Sequence, residues 1–311
     1  MQVQQLRYFV AVAEVRHFTR AASVLGVAQP SLSKQVTALE RDLGASLFSR
    51  ARGNITLTPA GEALLPLARR ILADVDTARR EVQDLTGLRR GRVRVGATPS
   101  LLGSLLADTL ARFHQAFPRV ELNVTQGGSR DLVSSLAQGQ LDLAVIVLPL
   151  QVGDPALETL PLLREELMVA ALAADPPRRR GGQVHITDLR NRPLVMFRKG
   201  YDLRETTLAA WRQAGVEPLF AIEGGEMDAV LRFVEAGLGL AVVPSVVLPG
   251  RPGIAGFPIV RPGLHRTVAL ARRKDVRSTH AARAFRETLL THVRDEAASA
   301  SLPPGVHSLL A

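Results

Sequence analysis

Residues 18–40 read FTRAASVLGVAQPSLSKQVTALE, and this segment predicts two short helices joined by a glycine turn. The Thr19 hydroxyl can accept a hydrogen bond from a free amide and so begin the first helix, which Gly26 then ends. Pro30 is tolerated in the first turn of the second helix. Four apolar residues of that helix share one face: Leu32, Val36, Leu39 and Leu43. With a preceding amphipathic helix around residues 6–13, the pattern predicts a helix-turn-helix.

The polar face of the second helix is suited to the major groove of DNA. It carries hydroxyl and amide side chains together with cations: Gln29, Ser31, Ser33, Lys34, Thr37 and Arg41. Amides and hydroxyls can hydrogen-bond base edges, whereas cations hold phosphates. Residues 47–57 then predict two short strands around a basic turn, a wing that brings Arg50 and Arg52 to the DNA backbone. The alternative for each helix taken singly is a polar face that is merely solvated.

The order and spacing of these elements closely resemble the winged helix-turn-helix of LysR-type transcriptional regulators. The matching segments are residues 18–40, LGASLFSR at 43–50 and LTPAGE at 57–62. The resemblance implies a DNA-binding domain over residues 1–58 that binds double-stranded operator DNA, and it allows RNA polymerase as a further partner. Ala28 departs from the pattern, because Ser or Thr at the cap of the recognition helix would satisfy free amides better.

A long helix is predicted after the wing. Thr58 and Pro59 form a helix start, Pro66 predicts a bend, and apolar residues recur in heptad steps: Leu64, Ala68, Ile71, Val75, Ala78, Val82 and Leu85. This seam packs either on the chain's own body or on a second copy. In LysR-type regulators the corresponding segment, residues 59–87, is a dimerising linker helix, which implies a homodimer or homotetramer on an inverted repeat. Residues 86–91 predict a hinge.

The remainder of the chain predicts α/β architecture. Strands and helices alternate from residue 92, and residues 141–147 form an apolar run typical of a buried parallel strand. The resemblance implies a two-lobed regulatory domain over residues 88–295, similar to periplasmic solute-binding proteins, with an allosteric effector in the cleft between the lobes. The expected bounds are 91–148 with 267–295 for lobe 1, 162–265 for lobe 2, and 296–311 for a mobile tail.

The turns that follow the lobe 1 strands predict where the effector binds. Ligands of α/β sheets lie beyond the carboxyl ends of strands, where helix N-termini offer free amides. Two turns add hydroxyl groups suited to a carboxylate or similar anion, although simple helix capping is the alternative: Thr98 with Ser100, and Gly128 with Ser129. The resemblance adds facing residues of lobe 2: Phe197, Arg198, Lys199 and the turn at 224–227.

Composition limits the other classes of function. The net charge of +10 suits a polyanionic partner, although the excess of arginine over lysine also follows from genome composition. The chain has no cysteine, which suits a reducing cytoplasm. The N-terminus does not match a signal peptide and no apolar run reaches about 20 residues. We therefore expect a cytoplasmic protein with no membrane partner.

Catalytic motifs are not found in the sequence. The seven histidines are scattered without metal-ligand spacing, and neither a nucleophile elbow nor a phosphate-binding loop is present. The sequence therefore predicts no enzyme activity, no metal and no cofactor. Two alternatives remain: a regulator that senses no ligand, and an enzyme fused to a DNA-binding domain.

Overall fold

A computed structural model describes residues 1–49, 54–85, 91–150, 155–175, 177, 183–260 and 263–310. Arg50 and Arg52 of the predicted wing lie outside the described residues, as does most of the predicted hinge at 86–91. The chain divides into two compact units. The N-terminal unit is Met1–Leu88 with Ser135–Leu141, and the C-terminal unit is Arg89–Ser134 with Asp142–Ala311.

The N-terminal unit begins with a helix-turn-helix and a short hairpin, as predicted. Its elements are α1 (Val3–Val15), α2 (Phe18–Val24), α3 (Gln29–Leu43), β1 (Phe48–Ser49) and β2 (Thr56–Leu57). β1 and β2 pair antiparallel, with Phe48 opposite Leu57. Three residues of the predicted apolar stripe of α3 are fully buried: Leu32, Val36 and Leu39. Leu43 is instead 42% exposed, because α3 ends there and Gly44 turns the chain away with φ of 67°.

α2 begins with a side-chain cap, whereas α3 begins without one. α2 begins at Phe18, and His17 Nδ1 accepts a hydrogen bond from the Arg20 backbone N–H at 3.4 Å. The predicted cap at Thr19 is therefore wrong, since Thr19 already lies inside the helix. α3 begins after Ala28 without a side-chain cap, as the sequence predicted. Pro30 in its first turn carries no N–H, so one fewer amide needs a partner.

The long helix α4 (Pro59–Leu85) follows the wing and continues through Pro66. Its start is as predicted, because the Thr58 hydroxyl oxygen accepts a hydrogen bond from the Gly61 N–H at 3.1 Å. Part of the predicted heptad seam is buried in the N-terminal core, and part is exposed. Ala68 is fully buried in the core of the N-terminal unit, whereas Val82 is 62% exposed. Leu67, which the predicted seam left out, is 55% exposed.

An apolar stripe along α4 therefore stays largely outside the core of the N-terminal unit, although its member Ile71 also packs against that core. At about 100° per residue its members fall within about 80° of the helix surface, and all are exposed or partly exposed: Leu67, Ile71, Val75, Ala78 and Val82. We call this set the linker stripe.

The C-terminal unit is a two-lobed α/β structure built on one long shared strand. In chain order its elements are β3 (Arg92–Ala97), α5 (Pro99–Leu101), a π turn (Leu102–Leu106), α6 (Ala107–Ala116), β4 (Glu121–Gln126), α7 (Ser129–Ala137), β5 (Leu143–Leu148), β6 (Leu157–Leu172), β7 (Val184–His185), a 3₁₀ turn (Ile186–Leu189), β8 (Pro193–Met196), α8 (Asp202–Gln213), β9 (Leu219–Glu223), α9 (Met227–Glu235), β10 (Ala241–Pro244), a second 3₁₀ turn (Ser245–Val247), β11 (Ile254–Val260), β12 (His265–Arg273), α10 (His280–Ala298) and β13 (Val306–Ser308). β3 pairs in parallel with both β4 and β5, and β5 is buried as its apolar run predicted.

β6 passes through both lobes. Residues 157–166 of β6 pair with β12, which itself pairs with β5. From Leu167 onward β6 pairs with β10 and β11. β6 therefore changes partners at Leu167, because the strand continues straight through the crossing between the lobes.

The segment predicted to be a mobile tail, from residue 296 onward, contains regular secondary structure where the structure describes it. α10 continues to Ala298, and β13 pairs antiparallel with β6, with Val306 opposite Glu165. Gly305 reverses the chain with φ of 77°, and Val306 is buried. Through β13, this segment supplies hydrogen-bond partners to an edge of β6.

Within the described ranges, no helix is both long enough and apolar enough to cross a bilayer.

Candidate functional site

The exposed face of α3 gathers four of the six α3 residues that were predicted to contact DNA. Ser31, Lys34, Thr37 and Arg41 are exposed and fall within about 120° of the helix surface. The other two, Gln29 and Ser33, are partly buried. A cationic surface with hydroxyl groups is therefore available to a polyanion.

Glu40 connects this helix to the wing, a role that the sequence did not reveal. Its Oε1 accepts hydrogen bonds from the backbone N–H groups of Leu47 at 2.8 Å and Phe48 at 3.3 Å. At the other end of the domain, the Gln5 amide donates to Gln35 Oε1 at 3.3 Å and ties α1 to α3. These contacts orient the recognition helix and the base of the wing together.

Ser129, at the start of α7, bonds directly to lobe 2. Its backbone N–H and its hydroxyl both donate to Asp202 Oδ2, at 3.1 and 2.6 Å. The Ser129 hydroxyl oxygen accepts in turn from the Val147 N–H at 2.9 Å. A Cβ added to Gly128 would lie 3.3 Å from the Gly200 carbonyl oxygen, so the two lobes meet closely beside this bond.

Ser100, at the start of α5, joins a buried network that also crosses the lobes. Its hydroxyl accepts a hydrogen bond from Arg266 Nη2 at 2.9 Å, and Arg266 Nε donates to Glu165 Oε2 at 2.7 Å. The Val246 N–H of lobe 2 donates to the second Glu165 oxygen at 3.1 Å. Ser100 is therefore coupled to lobe 2 through a buried ion pair, whose members the sequence analysis did not select as site residues.

The predicted counter-charge of lobe 2 is already matched. Arg198 Nε donates to Glu226 Oε1 at 2.9 Å, and Gln126 of lobe 1 donates to Glu226 Oε2 at 2.9 Å. Phe197 is buried, and its ring stacks on Tyr201 with 4.7 Å between centroids. Arg198 therefore takes part in a third bridge between the lobes, while Phe197 supports the cleft from within lobe 2.

Two hydroxyl groups near the cleft have no hydrogen-bond partner among the described residues. They are Thr98 Oγ1, just before α5, and the Tyr201 phenol, just before α8. Burial raises the pKa of the Tyr201 phenol well above its ordinary value, although the nearby Arg266 guanidinium opposes this shift. The phenol therefore keeps its proton at neutral pH and has a donor to offer.

A cavity of about 730 Å³ opens beside the Ser129–Asp202 bond. Its apolar wall includes Val133, Val147 and Leu148, and its charged rim includes Arg130 and Arg212. This volume suits a small organic molecule.

Across the part of the chain that the structure describes, no group of His, Asp and Glu side chains is arranged to hold a metal ion.

Two domain families match this chain. The bacterial regulatory helix-turn-helix of the lysR family matches residues 3–62, and the LysR substrate binding domain matches residues 86–294. The chain belongs to the LysR family.

Similar proteins cover nearly the full length of this LysR-family chain. The transcriptional dual regulator GltC of Bacillus subtilis (strain 168) is 33% identical over 293 residues, which are 93% of this chain and 97% of GltC. A full-length OxyR variant from Pseudomonas aeruginosa superposes with a TM-score of 0.71 at 28% identity, covering 94% of this chain and 95% of that one. Full-length CbnR in complex with its target DNA gives 0.68 at 27% identity, covering 96% and 100%.

Membership of the family confirms the predicted fold class. A winged helix-turn-helix and a long helix precede a two-lobed α/β domain, and the structural neighbours are full-length regulators with this fold. The LysR-family chain is a DNA-binding transcription regulator with an effector-binding domain, and it is not an enzyme. The alternative of an enzyme fused to a DNA-binding domain is therefore wrong.

Proposed function

We propose that this LysR-family regulator recognises operator DNA as a dimer or tetramer. A small anion that binds between its lobes shifts the assembly from one DNA-bound geometry to another. DNA binding is assigned to residues 1–58, dimerisation to 59–87 and effector binding to the lobes that follow. The exposed face of α3, with Lys34 and Arg41 beside Ser31 and Thr37, is the observation that carries the proposal. Binding to operator DNA would support the predicted cytoplasmic location, and contact with RNA polymerase stays a prediction.

The DNA contacts divide into two kinds. Lys34 and Arg41 are assigned to phosphates, together with Arg50 and Arg52 of the wing. The short polar side chains are assigned to base edges, because residues near the start of a recognition helix reach into the major groove: Gln29, Ser31, Ser33 and Thr37.

Lys34→Ala is expected to weaken binding to every duplex and to reduce the salt dependence of log K by about one unit, since one phosphate contact is lost. Ser31→Ala or Ser33→Ala should instead reduce the preference for a cognate duplex by about 1–3 kcal/mol. Fluorescence anisotropy would measure both, with a duplex selected from a random pool and a scrambled version of it.

The matched control is Lys274→Ala, which removes the same charge from an exposed site in the C-terminal unit. We expect it to bind both duplexes like the unaltered protein. If Lys34→Ala and Lys274→Ala behave alike, α3 does not carry the DNA contacts.

An anionic effector is supported by the chemistry of the cleft. Ser129 offers an N–H and a hydroxyl at the start of α7, and the rim of the cavity includes Arg130, Arg198 and Arg212. Thr98 and Tyr201 have hydrogen-bonding capacity to spare. Allostery requires only that the effector binds one arrangement of the lobes more tightly than another.

The effector assignment is tested by a thermal-shift screen of the full chain with aliphatic and aromatic carboxylates. A ligand at 100 times its Kd adds about 2.7 kcal/mol of stability, which raises Tm by several degrees. In the double variant Ser100→Ala with Ser129→Ala, the shift should disappear. An undiminished Tm shift in that variant would mean that the site lies elsewhere. If no carboxylate in the screen raises Tm, a regulator that senses no ligand is favoured.

A further inference from the structure

The anion position at the start of α7 is already filled by a carboxylate of the chain itself. Asp202 Oδ2 accepts both hydrogen bonds that Ser129 can donate, from its N–H at 3.1 Å and from its hydroxyl at 2.6 Å. The N-terminus of a helix favours negative charge, because its free amides and dipole point toward it. Asp202 thus receives the interactions that an anionic effector would need.

Ser129 cannot hold two anions at once. Its hydroxyl has a single proton, which is directed at Asp202, and its oxygen is engaged by the Val147 N–H at 2.9 Å. The side chain is buried, so it has no freedom to turn toward a second ligand. An effector carboxylate and the Asp202 carboxylate must therefore compete for the same two donors.

We propose that Asp202 is an internal competitor of the effector and the residue that determines what the cleft accepts. An anion reaches Ser129 only by displacing Asp202, and this displacement releases the start of α8 from α7. The proposal rests on the effector function proposed above. Asp202 also lines the 730 Å³ cavity, so the displaced side chain has space to move into.

This competition defines the chemical class of the effector. Exchanging one carboxylate for another at Ser129 yields little net affinity, because the bonds formed equal the bonds lost. The apparent Kd also rises in inverse proportion to the fraction of molecules in which the position is free. The effector must therefore be a carboxylate with a larger remainder, one that gains affinity from the apolar wall of Val133, Val147 and Leu148.

Formate rescue of Asp202→Ala in the full chain tests the proposal. Formate supplies the carboxylate alone, so it should bind the vacated position and raise Tm by about 2–4 °C relative to chloride at equal ionic strength. The unaltered protein should show no formate-specific rise, because its position is filled. The double variant Asp202→Ala with Ser129→Ala should show none either, because the donor hydroxyl is gone.

Two variants serve as matched controls. Glu205→Ala removes an exposed carboxylate from the first turn of the same helix and from the lining of the same cavity. Asp202→Asn keeps the shape of the side chain without its charge and still fills the position. Neither should respond to formate. If Asp202→Ala does not fold, judged by Trp211 emission, Asp202→Ser is the substitute, with the same expected response.

The outcomes separate this proposal from the effector function. Without a formate-specific rise in Asp202→Ala, or with an equal rise in the unaltered protein, the internal competitor is refuted. A formate response without any hit in the carboxylate screen counts against the effector function alone. An effector that binds the unaltered protein and Asp202→Ala with equal affinity overturns the competitor alone; we expect at least tenfold tighter binding to the variant.

Discussion

Arg266→Met is expected to lower the free energy of unfolding of the C-terminal unit by about 3–5 kcal/mol, because it leaves the Glu165 carboxylate buried without its cation. The two side chains are 4% and 2% exposed and meet at 2.7 Å. The substitution also removes the donor to Ser100. Urea unfolding would measure the loss through the fluorescence of Trp211, the single tryptophan of the chain, which is buried in lobe 2.

A double-mutant cycle distinguishes a lost ion pair from a general packing defect. Replacing both Arg266 and Glu165 with Met removes both charges, and a buried pair exchanged for apolar residues is often close to neutral in stability. The double variant should therefore be much more stable than Arg266→Met alone. Strictly additive losses would show that the pair is not coupled.

A half-exposed ion pair supplies the control. Arg272 pairs with Glu158 between β12 and β6, where both side chains are in contact with solvent. Arg272→Ala is expected to change the free energy of unfolding by no more than about 1 kcal/mol, because solvent screens such pairs. A loss as large as that of Arg266→Met would contradict the attribution to burial.

Val82→Asp is expected to prevent self-association through α4 and to lower DNA affinity by about 10²–10⁴-fold. Val82 is 62% exposed and belongs to the linker stripe, so a carboxylate there would have to be buried without a partner in any helix pair. A dimer binds its second half-site at a high effective concentration, and a monomer forfeits that gain. Sedimentation velocity would measure the oligomeric state, and anisotropy the DNA affinity.

Ala73→Asp is the matched control for this prediction. It introduces the same charge on α4, at about 120° or more from every residue of the linker stripe. We expect this variant to associate and to bind DNA like the unaltered protein. If Val82→Asp remains a dimer with full DNA affinity, the linker stripe does not form the dimer contact.

Local patterns in the sequence were sufficient for the N-terminal unit. The apolar spacing of α3, the glycine turn before it and the Thr58 cap of α4 all act between residues a few positions apart, and each is present in the structure. Errors arose where a neighbour substituted for the expected group, as at His17, which caps α2 in place of Thr19.

The sequence predicted where the cleft lies but not which side chains bond to the hydroxyl groups in it. Sequence reasoning selected Ser100 and Ser129 from their places after strands, and the structure brings both to the boundary between the lobes. No pattern in the sequence pointed to Asp202, Glu165 or Arg266, which determine what those hydroxyls bind. Acidic residues are common in the first turn of a helix, and Asp202 is one of them. No local pattern therefore indicates that it contacts lobe 1.

The amino-acid sequence alone determined the family, the order of the domains and the helix-turn-helix, because periodicity, caps and turns depend on near neighbours. Only the tertiary structure decided that Asp202 accepts the hydrogen bonds of Ser129 and that a buried ion pair joins the lobes. The Ser129–Asp202 bond spans 73 residues and the Arg266–Glu165 pair spans 101. Such pairs form when strands and helices pack in space, and no spacing along the chain encodes them.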